Sequence, residues 1–248
     1  MTTAKSFRPS RAADVVAAGL RRQILSGELA PGDSLPTESE LVSQLGASRE
    51  TVRVALRLLD AEGLTTTSQG RSGVRIRHPE PERVARSLVQ LLTLTGATWG
   101  DLLAFRKMLE PAAAAHVAQH ASAQQKAALA EVAERGIAPD GGGYHEFHEL
   151  LVQTSGNPIL TTVLAAIEQA VRWAAAEQDI TQYDREEAAK SHRAIAGAIT
   201  AGDAQTAEHR MRRHLDAALR HVEESGLLGA PMIPPSRWRA DFSDLPWR

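Results

Sequence analysis

The chain has 248 residues, 43% of them hydrophobic, which is enough to bury a core and excludes a wholly disordered protein. It contains no cysteine, which excludes disulfides, thiolate metal sites and a thiol nucleophile. The net charge of −2 is unevenly distributed, because residues 1–77 carry 11 Lys and Arg against 8 Asp and Glu, and all nine histidines follow residue 77.

The first part of the chain predicts three helices followed by a short hairpin. Apolar residues at helical spacing indicate a first helix over residues 12–26. Thr37, with Glu40 three residues later, is a capping-box pattern that begins a second, short helix. Ser48 begins a third helix, and the short stretches 64–67 and 74–76, on either side of a glycine-containing turn, indicate a β-hairpin. This order predicts a winged helix-turn-helix over residues 11–77.

The third helix and the hairpin tip supply the candidate DNA contacts. In a helix-turn-helix the second helix enters the major groove with its N-terminal side chains toward the base edges. Arginine suits this place because its planar fork matches guanine or a phosphate, whereas serine and threonine hydroxyls bind phosphate. Arginines at this spacing can also form a plain solvated face. We predict that these residues contact double-stranded operator DNA: Ser48, Arg49, Glu50, Thr51, Arg53, Gln69, Gly70 and Arg71.

The second part of the chain predicts an all-helical bundle. Residues 78–82 (His-Pro-Glu-Pro-Glu) form a stiff, polar linker, and residues 83–224 show helical periodicity almost throughout. Residues 225–248 hold several prolines and no periodicity, which predicts an extended or disordered tail. The fold class is therefore mainly α. We find no apolar run that could span a bilayer and no signal peptide, and we expect a cytoplasmic protein without a membrane partner.

The first part resembles the GntR family of bacterial regulators. The matching segments follow that family's pattern in order and spacing: Leu20-Arg21, Pro31-Gly32-Asp33, Leu35-Pro36-Thr37-Glu38, Ser48-Arg49, Thr51-Val52-Arg53 and Glu62-Gly63-Leu64. Where the family often has Arg or Lys that contacts the DNA backbone, this chain has Ser39. The resemblance implies that Ser39 hydrogen-bonds a phosphate without contributing a charge.

The second part resembles the FCD ligand-binding domain of the FadR branch. The resemblance rests on Asp101-Leu102 to Arg106 and Glu110, Phe147-His148 with Ser155-Gly156-Asn157, His192 with Ile195, and Gly202-Asp203 to His214-Leu215. It implies a divalent metal, zinc or similar, bound by an Asp and three His beside a small carboxylate effector. The matching histidines are His148, His192 and His214, but Tyr144 stands at the position of the Asp. The missing carboxylate leaves metal binding open.

Three further residues are candidates for binding the effector. Arg106 either grips a carboxylate or forms a surface ion pair with Glu110, one helical turn away. Asn157 either lines the pocket or forms a turn after Gly156. Tyr144 faces the same site if the helix holds the family's orientation. We expect the remaining histidines to be ordinary side chains, and His145 to replace the missing ligand only if its helix rotates.

We therefore expect a homodimeric transcription regulator, a repressor, whose affinity for operator DNA changes when a small effector binds the helical domain. Three alternatives stay open. One is a metal-independent sensor of a larger or neutral ligand, the second is an architectural DNA-binding protein without an effector, and the third is a metal-dependent hydrolase. We expect no enzymatic activity, because a DNA-binding domain fits a sensor better than it fits a hydrolase.

Overall fold

The computed structural model describes residues 11–67, 73–78, 81–137, 144–174 and 182–234. The chain divides between Arg83 and Val84 into two compact units. Helices make up most of the described residues in both units, as the sequence predicted. Within the described ranges, no helix is both long and apolar enough to cross a bilayer.

The first unit is a winged helix-turn-helix, which confirms the predicted fold. Its elements are α1 (Arg11–Leu25), α2 (Glu38–Leu45), α3 (Arg49–Ala61), β1 (Thr65–Thr67) and β2 (Val74–Ile76). The two strands pair antiparallel, with Thr65 opposite Ile76. Apolar side chains from all three helices and both sides of the hairpin form one core, which includes Ala17, Leu41, Val52, Leu59 and Ile76.

Local capping fixes the turn between α2 and α3. The Thr37 hydroxyl accepts a hydrogen bond from the Glu40 amide at 3.3 Å, and the Glu40 carboxylate accepts one from the Thr37 amide at 2.8 Å. Gly46 then ends α2 in the left-handed region, with φ of 60°, where a side chain would be strained. Two residues later the Ser48 hydroxyl accepts from the Thr51 amide at 3.1 Å and begins α3. The turn is thus encoded within a dozen residues.

The second unit is an all-helical bundle. Its helices are α4 (Pro81–Thr95), α5 (Trp99–His120), α6 (Ala123–Arg135), α7 (Tyr144–Thr154), α8 (Pro158–Ala174), α9 (Gln182–Thr200) and α10 (Ala204–Glu224). α10 packs along α5, and α9 packs against α6 and α10. α7 contacts α5, α6, α8 and α9, so its side chains meet those of several helices in the interior. The core around it includes Phe147, Leu151, Ile195, Ile199, Met211 and Leu215.

The tail prediction is wrong for residues 226–234. This segment turns back along the start of α5, where the Trp99 amide donates to the Ala230 carbonyl at 3.2 Å. Met232 and Ile233 are each 2% exposed and pack with Val89 of α4 and Trp99. A segment without regular secondary structure has no periodic pattern of apolar residues, so its docking could not be predicted from the sequence. Residues 235–248 lie outside the described ranges.

We expect Ile233→Ala to destabilise the helical unit by about 2–5 kcal/mol, because it removes a buried side chain and leaves a cavity. Urea unfolding followed by circular dichroism measures the change. Ile159→Ala is the control, since Ile159 is 75% exposed and its truncation should cost no more than about 0.5 kcal/mol. Equal stability of the Ile233 variant and the wild type would contradict the docking of this segment.

Candidate metal centre and DNA-binding surface

Three histidines from three helices of the second unit converge on one buried point. His148 comes from α7, His192 from α9 and His214 from α10, and none is more than 5% exposed. Their Nε2 atoms form a nearly equilateral triangle, with distances of 3.2 Å (His148–His192), 3.2 Å (His148–His214) and 3.3 Å (His192–His214). Packing holds the rings in place, since Phe147 stacks on His192 with ring centroids 4.3 Å apart.

The triangle has the dimensions of a metal site. Two nitrogens bound at the usual Zn–N length in a tetrahedral site are about 3.3 Å apart, which matches all three sides. Neutral imidazole nitrogens are ligands that zinc and similar divalent metals prefer in proteins. A cation at the centre of the triangle would lie within bonding distance of all three. Three protein ligands would also leave an open position for an exogenous ligand.

A buried carboxylate and a guanidinium orient His148. Its Nδ1 donates to Glu110 Oε2 at 2.7 Å, which leaves the lone pair on Nε2, the atom that points into the triangle. Glu110 Oε1 in turn accepts from Arg106 Nε at 2.6 Å. Both side chains lie on α5, and both are almost fully buried, at 3% and 1% exposure. The arrangement is the carboxylate–imidazole pairing that supports metal-binding histidines in proteins.

A second buried carboxylate, Glu168 of α8, completes this polar cluster. Glu168 Oε2 accepts from His145 Nδ1 at 2.6 Å, and Glu168 Oε1 lies 3.8 Å from Arg106 Nε. The exposure of Glu168 is only 2%. His145 therefore remains with Glu168, one turn away from His148, and does not join the triangle. The guanidinium of Arg106 lies between two carboxylates that belong to different helices.

Burial determines the protonation of the triangle. Desolvation lowers the pKa of His148 and of His192 well below the usual value, with further lowering from the charge of Arg106 on His148 and from neighbouring histidines on His192. Burial, followed by Arg106, lowers the pKa of His214 to about 4. Burial alone would raise the pKa of Glu168, but Arg106 and His145 outweigh it and the net shift is downward. At neutral pH the triangle therefore offers neutral imidazoles.

The other predicted effector residues have different outcomes. Arg106 does pair with Glu110, but in the interior, so the surface ion pair that we considered is wrong. Asn157 is exposed, and its carboxamide oxygen accepts from the amides of Ile159 and Leu160, which makes it the turn former at the start of α8. The structure does not bring Asn157 into the buried cluster. Tyr144 is the first residue of α7, one turn before His148, and its side chain lies outside the described set.

Sequence reasoning missed Glu168 entirely and gave Glu110 only a surface role. A signal for Glu168 does exist in the sequence. α8 is an apolar helix whose charged residues are Glu168 and Arg172, and Glu168 lies one turn after the buried Leu164. A carboxylate on the apolar face of a helix requires a buried partner, and this could have been argued without a structure.

In the first unit, α3 presents an exposed polar face opposite its buried one. Val52, Ala55 and Leu59 are buried, whereas Arg49, Glu50 and Arg53 and the N-cap Ser48 are exposed, and Thr51 is half-buried. Ser39, on α2, is also exposed. Arg49, Arg53 and Arg57 follow one another at intervals of four residues and so line one face of the helix. Arg53 Nε donates to Glu38 Oε2 at 3.0 Å, and Arg57 pairs with Glu50. The wing residues Gln69, Gly70 and Arg71 lie outside the described ranges.

Comparison with known proteins gives two family matches. Residues 12–76 match the bacterial regulatory proteins of the gntR family, and residues 101–217 match the FCD domain. The chain is 32% identical over 213 residues to an uncharacterized HTH-type transcriptional regulator of Streptomyces ambofaciens, covering 82% of each chain. It is 26% identical over 214 residues to the HTH-type transcriptional repressor NanR of Klebsiella aerogenes, again with 82% of each chain covered. Among solved structures it resembles a GntR protein of Streptococcus agalactiae, with 26% identity, a TM-score of 0.62 and coverage of 84% of this chain and 99% of that one.

Proposed function

Because the chain belongs to the GntR family of transcription regulators and carries an FCD domain, we propose that it is a homodimeric repressor that releases operator DNA when a small effector binds its helical unit. The buried triangle of His148, His192 and His214 is the observation that carries the effector site. The exposed face of α3 supports the DNA-binding assignment. Ser39 and residues 69–71 remain candidate contacts to the DNA backbone.

In the proposed mechanism, the three histidines hold a divalent metal such as zinc. The metal would supply a positive centre with open positions for an oxygen ligand. The chain's own residues do the rest of the work. Glu110 fixes the orientation of His148, Arg106 adds positive charge beside the triangle, and the surrounding apolar core excludes water. A buried site made positive by the metal and Arg106 agrees with the family's preference for carboxylate effectors. Tyr144 remains a candidate contact to the effector.

Effector binding would act on DNA affinity by a shift between two conformations of the dimer. Two copies would present two α3 helices to the half-sites of an imperfect palindrome, one helical turn of DNA apart. The triangle draws its ligands from α7, α9 and α10, so occupation of the site changes how three helices pack. A ligand shifts such an equilibrium only by its difference in affinity for the two conformations. Operator affinity should therefore respond to the effector and to metal loading together.

Arg53→Ala should weaken operator binding by about 5- to 150-fold, the equivalent of about 1–3 kcal/mol for an arginine that contacts a base. The operator is first selected from random DNA with the full chain, and affinities are then measured for this duplex and for a scrambled one. We expect Arg53→Ala to reduce the preference for the operator. In the free chain Arg53 is paired with Glu38 through its Nε.

Arg57→Ala is the matched control, because Arg57 lies one turn further along the same helix face and away from its N-terminus. We expect it to weaken binding to both duplexes alike and to leave the preference unchanged, as loss of a backbone contact does. Unchanged operator binding by Arg53→Ala would remove this residue from the DNA interface. Failure of the wild type to select any sequence would contradict the proposed function as a whole.

The hydrolase alternative receives less support from the cluster. A hydrolase needs a general base that is free to accept a proton beside the metal-bound water. Among the described residues, the two buried carboxylates of the cluster are already engaged, Glu110 with Arg106 and His148, and Glu168 with His145. They hold other side chains in position, which is the role expected in a binding site.

A further inference from the structure

On the exposed face of α3, two arginines pair with carboxylates that come from different helices. Arg57 pairs with Glu50 of α3 itself, whereas Arg53 Nε donates to Oε2 of Glu38, the first residue of α2, at 3.0 Å. The capping box fixes the start of α2, and apolar side chains of α2 and α3 belong to one core. The helix-turn-helix itself therefore sets the position of Glu38 beside Arg53.

The contact with Glu38 uses only one of the nitrogens of the guanidinium. An arginine side chain carries five N–H donors, one on Nε and two on each of Nη1 and Nη2. Glu38 accepts from Nε, and among the described residues no other group accepts a hydrogen bond from Arg53. Nη1 and Nη2 form the outer end of the planar fork, which matches the O6 and N7 acceptors of guanine. A guanine can therefore bind Arg53 while Glu38 keeps its own hydrogen bond.

The pair changes what Arg53 can gain from DNA. An arginine without a partner samples many rotamers and binds any phosphate within reach, a contact that carries no sequence information. Glu38 restricts Arg53 to one orientation and cancels its charge, so the pair gains little from the phosphate backbone. The outer end of the fork stays available for a base. The pair thus favours base contacts over backbone contacts.

The ion pair contributes little to the stability of the fold. The side chains of Arg53 and Glu38 are 55% and 39% exposed, and water screens the attraction between charges at such positions. Loss of the Glu38 carboxylate should therefore leave the first unit folded. The role of Glu38 in DNA recognition can be tested separately from any role in folding.

We infer that Glu38 is a positioning residue of the DNA interface, which holds Arg53 for a guanine and so sets the preference for a G·C pair at one position of each half-site. This inference rests on the proposed function, in which α3 enters the major groove. It assigns sequence preference to a side chain of α2 that acts through Arg53.

The test measures how much each base pair of the operator contributes to binding. Fluorescence anisotropy gives the affinity of the full chain for the selected operator, and for duplexes in which each G·C pair of a half-site is replaced in turn by A·T. The pair at which Arg53→Ala loses discrimination is the pair that Arg53 reads. Replacing this pair should weaken binding by the wild type by about 5- to 150-fold.

In Glu38→Ala this penalty should fall by at least about threefold at the pair that Arg53 reads and stay unchanged at the others, because a free arginine loses more freedom when it binds a base. When Arg53 is already alanine, Glu38→Ala should have no effect on the penalty. Glu38→Gln keeps an oxygen that can accept from Nε, so it should retain more of the penalty than Glu38→Ala.

Glu62→Ala is the matched control. Glu62 is paired with Arg21 just beyond the other end of α3, and its side chain has the same 39% exposure as that of Glu38. The variant should show the wild-type penalty at every pair. Circular dichroism of each variant verifies that the protein is folded.

The outcomes separate the role of Glu38 from the proposed function. A folded Glu38→Ala with the wild-type penalty, a loss spread evenly over all pairs, or equal losses in Glu38→Ala and Glu38→Gln would overturn the role of Glu38 alone. If Arg53→Ala kept its discrimination at every pair, Arg53 would read no base and the inference would be wrong. A wild type that selects no sequence would contradict the proposed function, and the inference with it.

Discussion

His192→Ala is expected to abolish metal binding to the helical unit. The variant keeps the nitrogens of His148 and His214. Among the described residues, no other ligand atom lies close enough to these two to replace His192. Loss of a residue that only supports a metal ligand costs about 10- to 100-fold in affinity, and loss of a ligand itself should cost more. Elemental analysis of protein purified without a histidine tag should find close to one metal ion per wild-type chain and almost none in the variant.

His209→Ala is the matched control, because His209 lies on α10, the helix that carries His214, and is exposed. It should retain the metal content of the wild type. Equal metal in His192→Ala and the wild type would contradict the triangle as the binding site. Absence of metal from both would favour the alternative of a metal-independent sensor, in which Arg106 and the neutral histidines hold a larger or uncharged ligand.

The second large effect is expected for Glu110→Gln, which should cost about 3–5 kcal/mol of stability. The substitution keeps the shape of the side chain but removes the nearer of the two carboxylates that border Arg106, which stays buried at 3% exposure, and of these two it leaves only Glu168, at 3.8 Å. Thermal unfolding should show a fall of about 6–20 °C in the Tm of the helical unit. Metal affinity should also fall, by about 10- to 100-fold, because Glu110 orients His148.

Glu208→Gln provides the comparison, since Glu208 and Arg212 form an ion pair of the same sequence spacing on the surface. Its two side chains are 43% and 49% exposed, and its loss should cost no more than about 0.5 kcal/mol. If the two Glu→Gln variants were equally stable, the buried pair would carry no structural role. If Glu110→Gln lost stability but kept full metal affinity, its contact with His148 would not support the metal site.

Much of the fold could be predicted because its signals are local. The Thr37–Glu40 capping box, Gly46 and Ser48 fix the helix-turn-helix within a short stretch, and the predicted bounds of α2 and α3 agree closely with the structure. The three histidines were assigned from the family resemblance, and the structure brings them together. Their role in metal binding stays a prediction. The capping residues were informative because they are close in sequence. The histidines were informative because imidazole is a common metal ligand.

What could not be predicted depends on contacts between distant parts of the chain. Glu168 is 58 positions from Glu110 and belongs to a different helix, so nothing local shows that both border the same guanidinium. The docking of Met232 and Ile233 on α4 and α5 is equally remote in sequence. The surface ion pair with Glu110, one of the two roles considered for Arg106, was wrong for the same reason, since helix spacing gives the partner but not the burial.

The docked segment at residues 226–234 also sets the order in which the two units become complete during synthesis. The described core residues of the helix-turn-helix have all been synthesised once Ile76 has left the ribosome. The apolar cluster of Val89 and Trp99 is complete only after Met232 and Ile233 have been synthesised. At ordinary translation rates this delay is on the order of ten seconds. A nascent chain thus acquires a folded DNA-binding unit well before its sensor is closed. A chain truncated before residue 232 would have a complete DNA-binding unit but an incomplete helical unit. Such a chain would bind operator DNA without responding to the proposed effector.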